Sequence, residues 1–264
     1  MLFRSTPYHA AGNITASFSF SNDGRCLICK AIFVDRIAGI GAHEDGTNFD
    51  SPWSADSIVQ PKKFESIYGD FTSTKTALYR TLVGDRSNHS NNCANDPNLS
   101  IFNLPSNSEV AIKQFKSLGW TDFSIQGRTY GRWQSWRQAN AALNIGDRHF
   151  DNYFTDKIPE NASNEDLWDA YLRWAATVSG RRLVLTERGR FGWTVDYRKL
   201  GMDEQTKCGD IFCIIFGCST PIVIRPYGEY YQVLGEGYLQ GLMEGEALAF
   251  PKIGNYRVQD ITLC

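Results

Sequence analysis

The sequence predicts an α+β fold with an N-terminal β-hairpin, a helical middle and a C-terminal antiparallel β-meander or small barrel. Apolar residues alternate around a polar turn near residue 22, recur at intervals of three or four through the middle, and alternate again from residue 181. We therefore assign residues 1–180 to the hairpin and a mainly helical region, and residues 181–264 to a β module.

Composition and charge exclude some classes of function. The 264 residues are 42% hydrophobic, which is enough for a substantial core. With 27 basic and 29 acidic side chains, the formal net charge of −2 provides no field to attract a polyanion, so we expect no nucleic-acid partner. The sequence has no long apolar span of the membrane or signal-peptide type, so we expect no membrane contact and a cytoplasmic location.

The cysteines predict a reducing environment and no metal. Seven are present, and Cys26, Cys29, Cys213 and Cys218 lie in apolar or strand-like runs, where a free thiol behaves as a small hydrophobic group. Cys26 and Cys29 have the spacing of a metal or redox pair. However, Cys208, Cys213 and Cys218 are five residues apart and offer no second pair at ligand spacing. We expect no metal and no other cofactor.

The N-terminal hairpin is predicted from alternating apolar residues on both sides of an Asn-Asp-Gly turn at residues 22–24. Phe18 and Phe20 precede the turn, and the alternation resumes through residues 27–37. Residues 38–61 are rich in Gly, Asp, Ser and Pro and lack a period, so they are predicted to be loop.

The first helix is predicted from a stripe at residues 71, 75, 78 and 82, with Gly84 as its C-cap. The polar, asparagine-rich residues 85–100 are predicted to form a disordered loop. A second helix is expected after Ser108, with apolar residues at positions 111, 115 and 118.

Two further helices complete the predicted middle region. One surrounds Trp133 and Trp136 and is expected to end at Gly146. The other opens at an approximate capping box formed by Ser163 and Asp166 and ends at Gly180. One apolar stripe on this last helix contains Leu167, Tyr171, Trp174 and Val178, and a second contains Trp168, Leu172 and Ala175. The helix is therefore predicted to be buried on most sides.

The β module is predicted from five short strands with period-two alternation and Gly-rich turns. The strands cover residues 183–186, 191–193, 211–216, 222–226 and 230–234. Short strands at this spacing are typical of an antiparallel meander that curls into a small barrel.

Several segments carry a resemblance to a known family. They read RRLVLTERGRFG at residues 181–192, GDIFCIIFGCSTP at 209–221, IRP at 224–226 and GEGYLQGLMEGEA at 235–247. Residues 20–40 and the string RTLVGD at residues 80–85 add to it. Together these segments resemble the region that follows the HET domain in fungal heterokaryon incompatibility proteins.

This resemblance implies a role without assigning chemistry. The family's HET domain is marked by Tyr-x-Ala-Leu-Ser-Tyr-x-Trp-Gly and Trp-Ile-Asp-x-x-Cys-Ile-Asn-Gln, and neither string occurs here. For that domain the family implies a TIR-like fold and programmed cell death after non-self recognition. For this chain the resemblance implies a non-catalytic accessory region, with a regulatory, sensing or scaffolding role toward a HET-type effector domain or another protein. We expect either a truncated gene product or a free-standing module.

The motif positions are candidate structural or interaction residues, and no catalytic residue is assigned. The glycines are expected to supply positive φ angles or close packing, and Asp210 is expected to accept backbone N–H groups in a turn. The positions are Arg182, Thr186, Gly189, Gly192, Gly209, Asp210, Gly217, Pro221, Arg225, Pro226, Gly235, Glu236, Tyr238, Gly241, Met243, Gly245 and Glu246.

Two alternatives from other classes remain open at this stage. The aromatic residues are expected to be mostly core, but they are also compatible with a groove that binds a small molecule or peptide. Glu244 and Glu246 form a carboxylate pair that a hydrolase could use in general acid–base catalysis. The four histidines are scattered, and we interpret them as exposed loop residues.

Overall fold

The computed structural model describes residues 8–44, 52–86, 125–154, 164–195, 206–249 and 256–264. A mostly antiparallel sheet with a few helices confirms the α+β class. The strands are β1 (Phe18–Phe20), β2 (Leu27–Ile40), β3 (His43–Glu44), β4 (Trp53–Ser54), β5 (Asn144–Ile145), β6 (Arg148–His149), β7 (Arg181–Thr186), β8 (Phe191–Val195), β9 (Ile211–Ile215), β10 (Ile222–Tyr227), β11 (Tyr230–Leu239) and β12 (Val258–Leu263). The helices are α1 (Phe71–Leu82), α2 (Ile125–Asn140), α3 (Asn164–Val178) and α4 (Glu246–Ala249).

The predicted N-terminal hairpin is present, but its second strand is longer than expected. β1 pairs with β2 around a turn in which Gly24 has φ +70°. β2 continues to Ile40 because it pairs first with β9 and then with β7, with a bulge in each ladder. The prediction of loop for residues 38–61 is therefore wrong in part, since this stretch also contains β3 and β4.

Helix α1 matches its prediction, and its ends show why it forms there. The Asp70 side chain accepts the Ser73 N–H at 2.8 Å as an N-cap, and Gly84 has φ +62° just past the last turn. Leu78 and Leu82 are fully buried.

The other two long helices differ from their predictions. α2 ends at Asn140 instead of reaching Gly146, because the Asn140 side chain donates to the Trp136 carbonyl and accepts the Ala42 N–H. The β5–β6 hairpin follows, and Gly146 lies in its turn. α3 is buried along Tyr171, Trp174 and Val178 as predicted, but Leu172 in the second predicted stripe is 43% exposed.

The main sheet contains the predicted C-terminal meander and one strand that was missed. Hydrogen-bonded pairing runs from β2 through β7, β8, β11, β10 and β9 and then returns to β2. The missed strand, β12, pairs antiparallel with β2 along six positions and touches β11 through one parallel pair. The division at residue 180 stays a prediction, although strands from both sides of it share this sheet.

The hydrophobic core has three clusters. The first lies between the long helices and the β7–β8 hairpin and contains the buried rings of Trp133, Trp136, Tyr171, Trp174 and Trp193. The second joins β2, β9 and β10 to the turn after β11. The third lies on the opposite face of β2, β9 and β10 and includes two side chains of β12.

Several predicted features lie outside the described residues. These are the asparagine-rich loop from residue 87 onward, the helix expected after Ser108, and the capping box at Ser163. Among the helices in the described ranges, none is long and apolar enough to cross a membrane.

Candidate functional site

Two segments that carry the family resemblance meet in the interior. The Arg80 guanidinium donates to both carboxylate oxygens of Asp85 at 2.6 and 2.8 Å, and the Gln240 amide donates to Asp85 at 3.4 Å. The Tyr238 hydroxyl in turn donates to the Gln240 side-chain oxygen. We call Arg80, Asp85, Tyr238 and Gln240 the motif junction, because they link the C-terminal end of α1 to the end of β11.

The motif junction is a polar chain that is buried at Tyr238 and Gln240 and half-buried at Arg80 and Asp85. Tyr238 is 6% exposed and Gln240 is 4% exposed. Burial, followed by the nearby Asp85 carboxylate, raises the pKa of Tyr238 well above its usual range, so the phenol remains a neutral donor. A neutral donor, an amide and a carboxylate–guanidinium pair satisfy one another here. Such a chain specifies one packing arrangement, since each buried polar group would be costly without its partner.

The backbone at the junction is held in an uncommon conformation. Asp85 has φ +54° directly after Gly84, and it is the one non-glycine residue with positive φ in the described ranges. Its N–H donates to the Arg80 carbonyl at 2.7 Å, which fastens the turn onto the helix. Aspartate tolerates this region better than most residues, and the ion pair to Arg80 compensates for the strain.

A second set of contacts covers the junction from the N-terminal side. The Tyr8 hydroxyl donates to the Gly84 carbonyl at 2.7 Å, and the Tyr8 ring packs edge-on against Tyr238. The Arg86 guanidinium lies 4.1 Å from the centre of the Tyr8 ring and pairs with Glu244 at 3.3 Å. Glu244 and Tyr238 both lie in the resembling segment at residues 235–247, and Gly84 lies in the one at residues 80–85. This layer therefore joins the two segments a second time.

The β8 strand is tied to the same region. The Trp193 indole donates to the Thr81 carbonyl at 2.7 Å, and the Tyr68 hydroxyl donates to the Gln240 carbonyl at 3.2 Å. Tyr68 also stacks on Phe191 with ring centres 5.5 Å apart. Helix α1, β8 and β11 are therefore held together at this one place.

Asp210 and Arg225 form the second polar site among the predicted positions. The Arg225 guanidinium donates to both Asp210 oxygens at 2.7 and 2.8 Å, and Asp210 also accepts the Lys207 N–H at 2.7 Å. The predicted role of Asp210 as an acceptor of backbone N–H in a turn agrees with this geometry. The ion pair joins the turn before β9 to β10.

Asp35 is a buried acid in the resembling residues 20–40 that was not among the predicted site positions. It lies at the bulge of β2 and accepts the N–H groups of Arg36 and Arg188 at 2.9 and 3.2 Å. The Arg190 guanidinium approaches its other oxygen at 4.0 Å. Burial raises the pKa of Asp35, and the hydrogen bonds to Thr186 and the backbone lower it by less.

Asp35→Asn is expected to remove one component of the pH dependence of stability. The pKa of Asp35 is raised in the folded state, so the folded protein favours the neutral carboxyl. The resulting contribution of Asp35 to the free energy of unfolding is fully present below about pH 4 and is lost as pH rises through the folded-state pKa. The free energy of unfolding of the variant, relative to the native protein, should therefore rise between about pH 4 and pH 7. Urea titrations across this range check it. A constant difference between the two proteins would contradict the assignment.

Three glycines among the predicted positions allow close approach of another segment. A Cβ at position 189 would overlap the Glu65 carbonyl, and one at position 192 would overlap the Tyr238 carbonyl. At position 217 it would lie 2.6 Å from the Ala16 Cβ. The remaining predicted glycines with positive φ lie in turns or at a bulge, namely Gly209, Gly235, Gly241 and Gly245.

The remaining predicted positions have structural contacts. The Arg182 guanidinium donates to the carbonyls of Gly41 and Ser57 and anchors β7. Thr186 accepts the Arg190 N–H at 2.9 Å. The carbonyls of Pro221 and Met243 accept backbone N–H groups, Pro226 pairs with Tyr231, and Glu236 is exposed opposite Ile222. The structure thus places these residues in turns, ladders and anchors around the sheet.

The two carboxylates of the predicted pair, Glu244 and Glu246, make separate contacts. Glu246 accepts the Glu244 N–H at 2.6 Å at the start of α4, while the Glu244 carboxylate pairs with Arg86. An acid–base pair for hydrolysis needs both carboxylates directed at one substrate. This geometry does not favour that use.

The prediction of exposed histidines is wrong for His43. This side chain is 6% exposed and lies next to Glu44, which forms a buried ion pair with Arg132 at 2.7 Å. His9 and His149 are exposed as predicted, and His89 lies outside the described residues. Residues 43–44 fall in the stretch predicted to be loop, so no sequence pattern indicates the pairing of Glu44 with α2.

The cysteine prediction is wrong for Cys26, which forms a disulfide with Cys264. Cys29, Cys213 and Cys218 are free thiols, and Cys29 and Cys213 are buried as predicted. Within the described ranges, no group of three or more His, Cys, Asp or Glu side chains could hold a metal ion.

The aromatic residues form a packed interior cluster. Trp136 contacts the rings of Trp53, Phe150, Trp174 and Trp193 with centres between 5.4 and 6.5 Å apart. This agrees with the expectation that most aromatics are core. Other large apolar side chains are exposed, among them Phe18, Phe20, Tyr227, Tyr230, Val233 and Val258.

Comparison with known families identifies a match over most of the chain. The family model described as the Het-6 beta-barrel domain matches residues 53–252, which is more than half of the chain. No curated protein and no solved structure matches the chain. The matched range contains the motif junction and the Asp210–Arg225 pair, but not β1, β2 or β12.

Proposed function

The chain belongs to the Het-6 beta-barrel domain family, and from this premise we propose that it is the non-catalytic accessory region of a heterokaryon-incompatibility-type protein. In this role it positions or restrains a HET-type effector domain. We also propose that the cyclic pairing of β2, β7, β8, β11, β10 and β9 forms a small closed barrel.

One observation carries the accessory role. The side chains of the two resembling segments bind each other at the motif junction instead of lining an open cleft. A partly buried network of this kind holds α1 on the sheet and favours one arrangement of the two layers. A rigid support of this type suits a domain that presents a surface to a partner.

The surface proposed for that partner is β1. Its two aromatic side chains, Phe18 and Phe20, are 61% and 63% exposed and pack edge-on against each other. In the described sheet β1 pairs with β2 alone, so its other edge is open. Exposed aromatic residues on an open edge are typical of protein–protein contacts.

Binding to a separately expressed HET domain tests the proposal. We expect the purified chain to bind this domain in isothermal titration calorimetry with a Kd of about 10 μM or tighter. The double variant Phe18→Ser/Phe20→Ser should weaken binding at least tenfold, or about 1.4 kcal/mol, without changing the thermal unfolding temperature.

The control is Leu172→Ser, which removes an exposed apolar side chain from α3 instead. It should bind as the native chain does. No binding at concentrations of about 100 μM would contradict the accessory role. Equal weakening by the control would contradict the assignment of the surface to β1.

We place this function in the cytoplasm, as part of a response to non-self fusion that ends in programmed cell death. The support for this is the family. A cytoplasmic effector system needs a restraint that can be released, and the accessory region would provide it.

A further inference from the structure

The Cys26–Cys264 disulfide lies at one end of the β2–β12 ladder. Cys26 directly precedes β2 and Cys264 directly follows β12, so the bond closes the ladder at the Leu27–Leu263 pair. The two cysteines are 238 residues apart in sequence. Both lie outside the residues matched by the family.

Apart from this bond, β12 is attached to the described residues mainly by its backbone ladder to β2. Only Ile261 and Leu263 of its six side chains are buried. Its pairing with β11 is limited to Leu263 and Tyr231. The Lys30–Asp260 ion pair is largely exposed, and exposed ion pairs contribute little to stability. The backbone ladder to β2 and the disulfide therefore hold β12 in place.

The buried side chains of β12 cover thiols. Ile261 pairs directly with Cys29 on β2, and the same apolar cluster contains Cys213. Burial raises the pKa of both thiols, so they are poor nucleophiles while β12 is in place. The exposed end of the disulfide, Cys264, is in contrast open to attack.

We propose that Cys26–Cys264 is a thiol–disulfide exchange site that controls the docking of β12 on β2, with cellular thiols of the glutathione class as its reductant. When the bond opens, β12 leaves β2, and the edge of β2 and the Cys29 thiol become accessible. A disulfide of this kind in a reducing compartment is expected to be a redox sensor. This inference rests on the proposed cytoplasmic location but not on the HET-type partner.

The exchange balances in two steps. A reductant thiolate attacks the Cys264 sulfur, the disulfide breaks, and Cys26 leaves as a thiolate that takes up a proton. A second reductant thiol attacks the mixed disulfide and releases Cys264 as a thiol. Two electrons pass from the two reductant thiols, which become a disulfide, to the two cysteines.

Hydrogen exchange of the full chain with and without glutathione tests the proposal. We expect reduction to accelerate exchange of the β12 amides at least tenfold while those of β7 and β8 keep their protection. Cys29 should become alkylated by iodoacetamide only after reduction. Cys26→Ser/Cys264→Ser should show the fast β12 exchange without reductant, and the control Cys208→Ser should respond as the native chain does.

Three results would overturn the proposal. One is alkylation of Cys26 and Cys264 in the unreduced protein, because no disulfide would then be present. Another is unchanged protection of β12 after reduction. A third is equal acceleration of amide exchange in all strands, which would show that the disulfide stabilises the whole fold and does not act on β12 alone.

Discussion

Replacing Arg225 by leucine is expected to lower the free energy of unfolding by about 3 kcal/mol. Asp210 is 2% exposed and receives two hydrogen bonds from this guanidinium. Without Arg225 its carboxylate is left buried, with the Lys207 N–H as its remaining hydrogen-bond donor among the described residues, and an uncompensated buried charge is costly. Urea denaturation of the two proteins measures the difference.

The matched control for this change is Lys30→Met, which breaks an ion pair at the surface. The Lys30 and Asp260 side chains are 44% and 67% exposed, so solvent screens their attraction. The expected loss is within about 1 kcal/mol. Equal losses in the two variants would show that the Asp210–Arg225 pair is no more important to stability than an exposed one.

Gly189→Ala is expected to destabilise the fold by about 3 kcal/mol or more. Gly189 has φ +77°, which costs an alanine about 1–2 kcal/mol. Its Cβ would also overlap the Glu65 carbonyl, and overpacking adds about 1–3 kcal/mol. The overlapped atom belongs to backbone that is itself held in place, since the Ile67 N–H donates to the Gly189 carbonyl at 3.2 Å.

Gly228→Ala separates the cost of the positive φ angle from the cost of overpacking. Thermal unfolding of Gly189→Ala and Gly228→Ala measures the difference. Gly228 has φ +60° in the turn between β10 and β11, and no atom lies within 4 Å of the position that a Cβ would take. Alanine there should cost only the conformational part, about 1–2 kcal/mol. If both variants lose the same stability, the contact between the β7–β8 turn and residues 65–67 is not tight.

The elements that the sequence predicted are those in which the local pattern and the tertiary environment agree. The α1 stripe has its own N-cap and a C-terminal glycine, and both appear in the structure. The β7–β8 and β10–β11 hairpins carry alternating apolar residues around Gly-containing turns, and they form as expected. In these segments neighbouring residues contain the information that decides the conformation.

The elements that were missed depend on distant residues. β12 contains Val258, Ile261 and Thr262, which favour strands, but its pairing partner β2 is more than 200 residues away. β3 and β4 have two residues each, too few to show a period. The second stripe of α3 looked buried because periodicity shows only that a face is apolar, and Leu172 is nevertheless exposed.

The candidate site also combines segments that the sequence marked with a contact between them that it did not indicate. The resemblance marked both the Arg80–Asp85 string and the Tyr238–Gln240 string, but no local pattern indicates that they meet. Asp85 and Gln240 are 155 residues apart in sequence and are brought into contact by the packing of α1 against the sheet. Tyr8 lies outside the resembling segments, and Asp35 lies within residues 20–40 without a local pattern that indicates its burial.

The central claim is that the resembling segments fasten α1 to the sheet, and a double-mutant cycle between Asp85 and Gln240 tests it most directly. We expect Asp85→Asn and Gln240→Met each to lower the free energy of unfolding by about 1–2 kcal/mol, with a coupling energy of about 1 kcal/mol. A coupling energy of zero, with both single variants as stable as the native protein, would contradict the claim.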